Sequence, residues 1–242
     1  MREDRGYINI LVLGADGRMG RLAVKEISSR PDMQVVGALV RGDSLSLASR
    51  EAKVDVVVDL TGPDSVFGNA HEAMELGLSC VIGASGLTDE QCVQLQNLAA
   101  KKQLGACIIP NFSIAAVMMI KMAKLCADKF ADVSIIERHH RAKKDAPSAT
   151  AKHTAAMVAK YRKPHLLVTP SVSCYEESGI SIHSIRSDGV VAEQEVLFGQ
   201  SGESLSLTHV THDRQAFMPG LLLCCQKVRA LNHLVIGLEH FL

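Results

Sequence analysis

Apolar residues come in short β-branched runs, separated by stretches where they recur every three or four positions. Ile8-Asn9-Ile10-Leu11-Val12-Leu13 is such a run, stopped by Gly14, and it predicts a buried strand. Met19, Leu22, Ala23 and Ile27 then line one face of a predicted helix. Residues 34–40, 54–60, 79–82 and 106–109 read as further strands. Residues 65–76 and 88–103 read as helices, with Ser65 and Thr88 as N-caps. Strands alternating with helices predict a parallel sheet with crossover helices on its faces.

After Pro110 the pattern changes. Residues 114–130 predict one long apolar helix, with Met118, Met119 and Met122 as core filler. A strand at 133–137 and a helix at 150–161 follow. Strands at 180–186, 190–198 and 204–212, parted by glycine-containing turns, predict a near-meander in a mixed or antiparallel sheet. A last helix (219–230) and a short strand (234–237) end the pattern. The expected fold class is α/β: an N-terminal α/β domain over 1–110, then an α+β domain with an open mixed sheet over 111–216. Residues 217–242 are expected to return to the first domain, where one face of the sheet otherwise lacks cover.

Composition narrows the function classes. Among 242 residues, 26 Lys plus Arg balance 26 Asp plus Glu, which argues against a nucleic-acid coat. A hydrophobic fraction of 47% with 21% charged excludes wholesale disorder, and the absence of Trp makes the core aliphatic. Seven Cys with no C-x-x-C pair argue against a zinc site or disulfide framework and for a reducing compartment. No stretch approaches the roughly 18 apolar residues of a membrane span, and the run at 7–13 is too short for a signal sequence. The expectation is a cytoplasmic protein with no metal, no membrane and no nucleic-acid partner.

Gly14-Ala15-Asp16-Gly17-Arg18-Met19-Gly20 joins the first strand to the first helix with G-x-x-G-x-x-G spacing, a variant of the dinucleotide fingerprint. Gly14 serves the tight turn, Gly17 the close approach of a pyrophosphate, and Gly20 the packing of helix on strand. The anion then sits at the positive end of the helix dipole. This makes the first domain Rossmann-type. At the end of the second strand stand Val40 and Arg41, a guanidinium where an NAD-preferring site places an acid, which leans toward NADPH over NADH. The loops after the later strands (Asp59 to Pro63, Gly83-Ala84-Ser85-Gly86, and Ile109-Pro110-Asn111-Phe112) lie where ligands of open α/β sheets bind.

The densest chemistry lies at 137–150. Six of the eight residues from Glu137 to Lys144 are basic or His, a local cationic pocket suited to a small dianion. Ser148 is placed to cap the following helix, so that the N–H groups of Ala149 and Thr150 form a carboxylate site made from main chain.

Here the sequence resembles the dihydrodipicolinate reductase (4-hydroxy-tetrahydrodipicolinate reductase) family of lysine and diaminopimelate biosynthesis. The family signature E-x-H-H-x-x-K-x-D-A-P-S-G-T-A is matched from Glu137 to Ala151 with one departure. The likeness extends to the glycine loop, Val56 to Thr61, Pro110-Asn111-Phe112 and Gly189 to Gly199. It implies an NAD(P)H-dependent reductase in which His139 is the proton donor/acceptor and Lys143 the proton donor. His140, Ser148, Ala149 and Thr150 would contact the substrate. Gly14, Ala15, Asp16, Gly17, Arg18, Met19, Arg41, Gly83, Ala84, Ser85, Ile109, Pro110, Asn111 and Phe112 would contact the dinucleotide. The second domain would bind substrate and assemble a homotetramer.

Three departures stand out. Ala149 replaces the family glycine, harmless at negative φ and costly at positive φ. Gly83-Ala84-Ser85 replaces Gly-Thr-Thr, and Val40 removes an acid. The rival reading is a catalytically weak cofactor-binding regulator of the same fold, with Ala149 as its symptom.

Overall fold

The computed structural model describes residues 6–162 and 174–242. They gather into two units, one reaching Ser113 and resuming over Phe217–Leu242, the other Ile114–Ala216. In chain order the first runs β1 (Ile8–Leu13), α1 (Arg18–Ser28), β2 (Met33–Leu39), α2 (Leu45–Glu51), β3 (Val56–Asp59), α3 (Val66–Glu75), β4 (Ser79–Ile82), α4 (Asp89–Lys102) and β5 (Ala106–Ile108). The second runs α5 (Ile114–Cys126), β6 (Asp132–His139), α6 (Ala149–Ala159), β7 (Tyr175–Glu177), β8 (Ile180–Arg186), β9 (Ala192–Gln200) and β10 (Glu203–Thr211). Helix α7 (Met218–Lys227) and β11 (Leu234–Ile236) close the first unit.

Six strands of the first unit form one parallel sheet in the order β11-β5-β4-β3-β1-β2. The chain leaves β1 on one side to reach β2 and returns on the other to β3. The carboxyl ends of these three strands therefore flank a crevice, the usual ligand site of such sheets. Leu11, Leu13, Val57 and Ile82 from the strands meet Met74 and Leu95 from the helices in an aliphatic core. The returning segment packs α7 against α1 and β1, while β11 extends the sheet beyond β5.

Local capping explains two departures from the sequence pattern. Ser44 accepts a hydrogen bond from the Leu47 N–H at 3.3 Å and starts α2, a helix the periodicity did not show. Ser65 precedes α3 but makes no side-chain cap, whereas Thr88 forms a full capping box with Gln91.

The second sheet has the order β10-β9-β6-β8-β7 and is mixed, with β6 and β8 parallel. The expected meander is corrected: β6 sits between β8 and β9, and of the three strands expected in it only β9 and β10 pair with each other. The cause is the crossover through α6, which a parallel pair requires. Strand β7, which periodicity missed, pairs antiparallel with β8. The methionine expectation is corrected too. Helix α5 buries Ala116, Met119, Ile120 and Ala123, at spacings of three and four, while Met118 and Met122 are exposed with Leu125 on its other face. Among the described residues no helix is long and apolar enough to cross a membrane.

Candidate active site

Gly14 adopts φ +76°, and its N–H and that of Ala15 donate to the Leu39 carbonyl at 2.9 and 3.0 Å. The turn folds so tightly that a Cβ on Gly20 would lie 2.0 Å from the Gly14 carbonyl oxygen. Any side chain there would push the loop off α1. Gly17 occupies the N-cap with no side-chain bond, so the first N–H groups of α1 stay open to an anion.

Beside this turn lies a cavity of about 710 Å³ whose walls include Gly14, Asp16, Gly17, Arg41, Thr61 and Asn69. That volume and a glycine cradle with no room for a Cβ suit a dinucleotide. Two carboxylates in the same walls are committed to main chain: Asp43 accepts from the Val40 N–H at 2.8 Å and Glu72 from the Ser46 N–H at 3.1 Å. Asp59 ends β3 buried, its Oδ1 accepting the Thr61 N–H (2.8 Å) and hydroxyl (2.6 Å). Burial pushes its carboxyl up, against the Thr61 and Asn69 hydrogen bonds.

Not every expected cofactor residue lines this cavity. Ala15 is buried behind the turn, and Arg18 and Met19 begin α1 outside the walls. Gly83 and Ala84 donate their N–H groups to the Asp59 carbonyl at 2.9 and 3.1 Å, which places 83–85 at the end of β4, beyond it. Ile109 and Phe112 are core side chains; a Cβ on Gly83 would meet the Phe112 ring at 2.5 Å. Asn111 accepts from the Ser113 N–H at 2.9 Å, and Pro110 is exposed. The sequence reading missed Ser44, Asn69 and Glu72, which also line the cavity. For Ser44 a signal existed: a cap residue immediately before Leu45.

In the second unit the helix-covered face of the sheet changes character along the strands. Val133 and Ile135 are followed on that face by Glu137 and His139, and Ile180 and Ile182 by Ser184 and Arg186. Apolar rows thus end in a polar cluster where β6 and β8 end. Glu137 is fully buried, and Arg186 grips both its oxygens: Nη1 to Oε2 at 3.0 Å and Nη2 to Oε1 at 2.9 Å. Its Oε2 also meets His139 Nδ1 at 2.5 Å. Burial pushes the Glu137 carboxyl up, but hydrogen bonds from Arg186, Ser184 and His139 outweigh it and hold it below its ordinary value. The carboxylate accepts only, so the shared proton sits on Nδ1 and leaves Nε2 for proton exchange. Burial holds the His139 imidazole below its ordinary value, against the pull of Glu137.

Lys143 donates to both oxygens of Asp145 at 2.8 Å. The fold sets acids beside four of the six basic or His residues of the strip expected at 137–144. Arg138 pairs with Glu193 and Arg141 with Asp188, acids that β9 and the turn after β8 bring from far along the sequence, while His139 and Lys143 pair with Glu137 and Asp145 two residues away. His140 is half-buried at the end of β6.

Ser148 is buried and caps α6, accepting from the Ala151 N–H at 3.1 Å. Ala149 and Thr150 are the first helical residues, whose N–H groups have no acceptor within the helix. Among the described residues, only Gln103 and Ser178 have positive φ without being glycine, so Ala149 carries its methyl group without strain. The ground for the regulator reading is gone.

Residues 8–112 match the family model for the N-terminus of dihydrodipicolinate reductase, and residues 113–242 match its C-terminus. The chain belongs to the dihydrodipicolinate reductase family. It is 44% identical over 239 residues to the 4-hydroxy-tetrahydrodipicolinate reductase of Legionella pneumophila (strain Philadelphia 1), covering 96% of this chain and 98% of that one. With the Coxiella burnetii (strain RSA 493) reductase it shares 42% over 237 residues, 97% of this chain and 99% of that one. A dipicolinate-bound dihydrodipicolinate reductase from Paenisporosarcina sp. TG-14 superposes with a TM-score of 0.86 at 37% identity, covering 98% of this chain and 100% of that one. In this dihydrodipicolinate reductase chain both family elements, glycine turn and His-His signature, stand on well-formed secondary structure. Among the described residues no group of three His, Cys, Asp or Glu is placed to hold a metal ion.

Proposed function

We propose that this enzyme reduces 4-hydroxy-tetrahydrodipicolinate to tetrahydrodipicolinate in lysine and diaminopimelate biosynthesis, with His139 and Lys143 handling the proton. A bound dihydronicotinamide supplies the hydride. The open N–H groups at α1 hold the pyrophosphate, and Arg41 takes a 2′-phosphate, which favours NADPH over NADH. Asp43 and Glu72, two of the acids in the same walls, are engaged by backbone N–H groups.

The second unit binds the dicarboxylate. Ala149 and Thr150 receive one carboxylate through N–H groups at the Ser148-capped helix end, and His140 contacts the ring side. Loss of the 4-hydroxyl as water, with a proton from the neighbouring ring carbon, gives a conjugated C=C–C=N system; hydride addition to it leaves negative charge, which a proton must quench. His139, oriented by Glu137, exchanges a proton at Nε2 and donates there once that nitrogen is protonated, which a bound dianion favours, and Lys143 supplies an acidic N–H once substrate draws it from Asp145. Domain roles follow from this: nucleotide on the first unit, substrate and assembly on the second. The absence of disulfides among the described cysteines supports a cytoplasmic setting, and the exposed Met118, Met122 and Leu125 support self-association as a homotetramer.

The observation that carries the reading is the buried Glu137 carboxylate holding His139 Nδ1 in the same unit as a capped, anion-ready helix end. NADPH oxidation measured with freshly generated substrate tests it. Wild-type enzyme turns over, and His139→Gln lowers kcat by roughly 10²- to 10⁴-fold. An inactive wild type, or a loss below about fivefold in the variant, defeats the assignment.

A further inference from the structure

Arg186 ends β8 directly opposite His139 in the parallel pairing of β6 with β8. Its guanidinium makes four hydrogen bonds: two to the Glu137 oxygens, one from Nη1 to the Ile185 carbonyl at 2.8 Å, and one from Nη2 to the Asp145 carbonyl at 2.6 Å. A single planar group therefore spans three segments. One is the strand carrying Glu137 and His139, another its own strand, and the third the loop from Lys143 to the Ser148 cap.

We propose that Arg186 is a positioning residue for the reductase reaction, fixing both the proton-exchanging imidazole and the loop that carries the second proton donor and the substrate-binding helix end. The argument rests on the acid–base reading of His139 and Lys143 given above.

The chemistry requires this group in particular. Glu137 has no exposed surface, and a carboxylate so placed stays ionised only with a charged partner on it. Ionised, it accepts from His139 Nδ1 and fixes the tautomer; protonated, it would have a hydrogen of its own to place and would release the ring. Lysine cannot replace the guanidinium. An ammonium offers a point charge, whereas two parallel N–H groups to Glu137 and a third aimed at the Asp145 carbonyl need a planar fork. Among the described residues the charged groups acting most strongly on His139 are Glu137, Lys143 and Arg186, so loss of the fork changes two of them.

Arg186→Lys and Glu137→Gln, each alone and combined, test the proposal by steady-state kinetics, a pH profile of kcat and NADPH titration. Each single variant should lose on the order of 10²-fold in kcat, the scale of a misplaced reacting group. Each should also shift the pH profile and keep NADPH affinity within about twofold, since the nucleotide cavity is built from other residues. The combined variant should lose no more than either single one, because the two residues act as one unit. Arg186→Lys with kcat within about twofold of wild type, or single losses that multiply in the combined variant, overturns the proposal. Should Arg186→Lys fail to bind NADPH, Glu137→Gln decides: an altered pH profile supports positioning and an unaltered one overturns it. His139→Gln in the same assay separates the two levels. Full activity there removes the acid–base reading itself, whereas an inactive His139→Gln beside an active Arg186→Lys removes only the role of Arg186.

Discussion

His139 and Arg186 face each other across adjacent parallel strands, and both bond the same buried carboxylate, Glu137. A base and a permanent cation thus share one anion. The cation keeps the anion charged, and the anion orients the base. The imidazole is left neutral near pH 7, because burial depresses it more than Glu137 raises it.

Folding stability should reflect that depression. The unfolded His139 takes up a proton near the ordinary value of 6.5, and the folded one does so only at lower pH. Its contribution is therefore complete above 6.5 and is lost as pH falls toward the depressed value. His139→Gln lacks this loss. Between pH 7.5 and 5.5 the wild-type Tm should fall relative to the variant's, by about 2–4 °C for each kcal/mol involved. His209, also depressed by burial, and Asp59, raised by burial, are common to both proteins and cancel. A Tm difference that stays constant across this range contradicts the shift.

Ala149→Gly restores the family residue and should gain nothing. Position 149 is the first residue of α6 with negative φ, and the proposed reading uses only its N–H. Glycine there costs up to about 1 kcal/mol of stability through backbone entropy. Substrate KM should move by no more than about twofold. A KM lowered about tenfold or more would show that the methyl group obstructs the carboxylate site.

Arg41→Ala should discriminate between cofactors. A lost bidentate bond to a 2′-phosphate is worth roughly 1.5–3 kcal/mol, so NADPH should bind about 10- to 100-fold more weakly. NADH, which lacks that phosphate, should change little. Equal weakening of both, read by fluorescence titration, removes Arg41 from cofactor choice.

Elements with a local code were legible in the chain. Strands β1, β4 and β8, the G-x-x-G-x-x-G turn and the Thr88 and Ser148 caps depend on residues within a few positions of one another, so spacing and side-chain type suffice to place them. Two elements were lost: α2 and β7 span seven and three residues and lack the continuous apolar run that made the short β5 and β11 legible.

Sequence spacing alone settled the turn at Gly14–Gly20, the helix cap at Ser148 and the family of the chain, because each is written in neighbouring residues. Partnership across distance was settled by packing. Glu137 meets Arg186, 49 residues away, and Arg138 meets Glu193, 55 away, only because a crossover helix lays β8 on one side of β6 and β9 on the other. Charge on a strand can be counted in the chain, but whether it faces a ligand or is already answered by an opposite charge depends on which strand lies beside it.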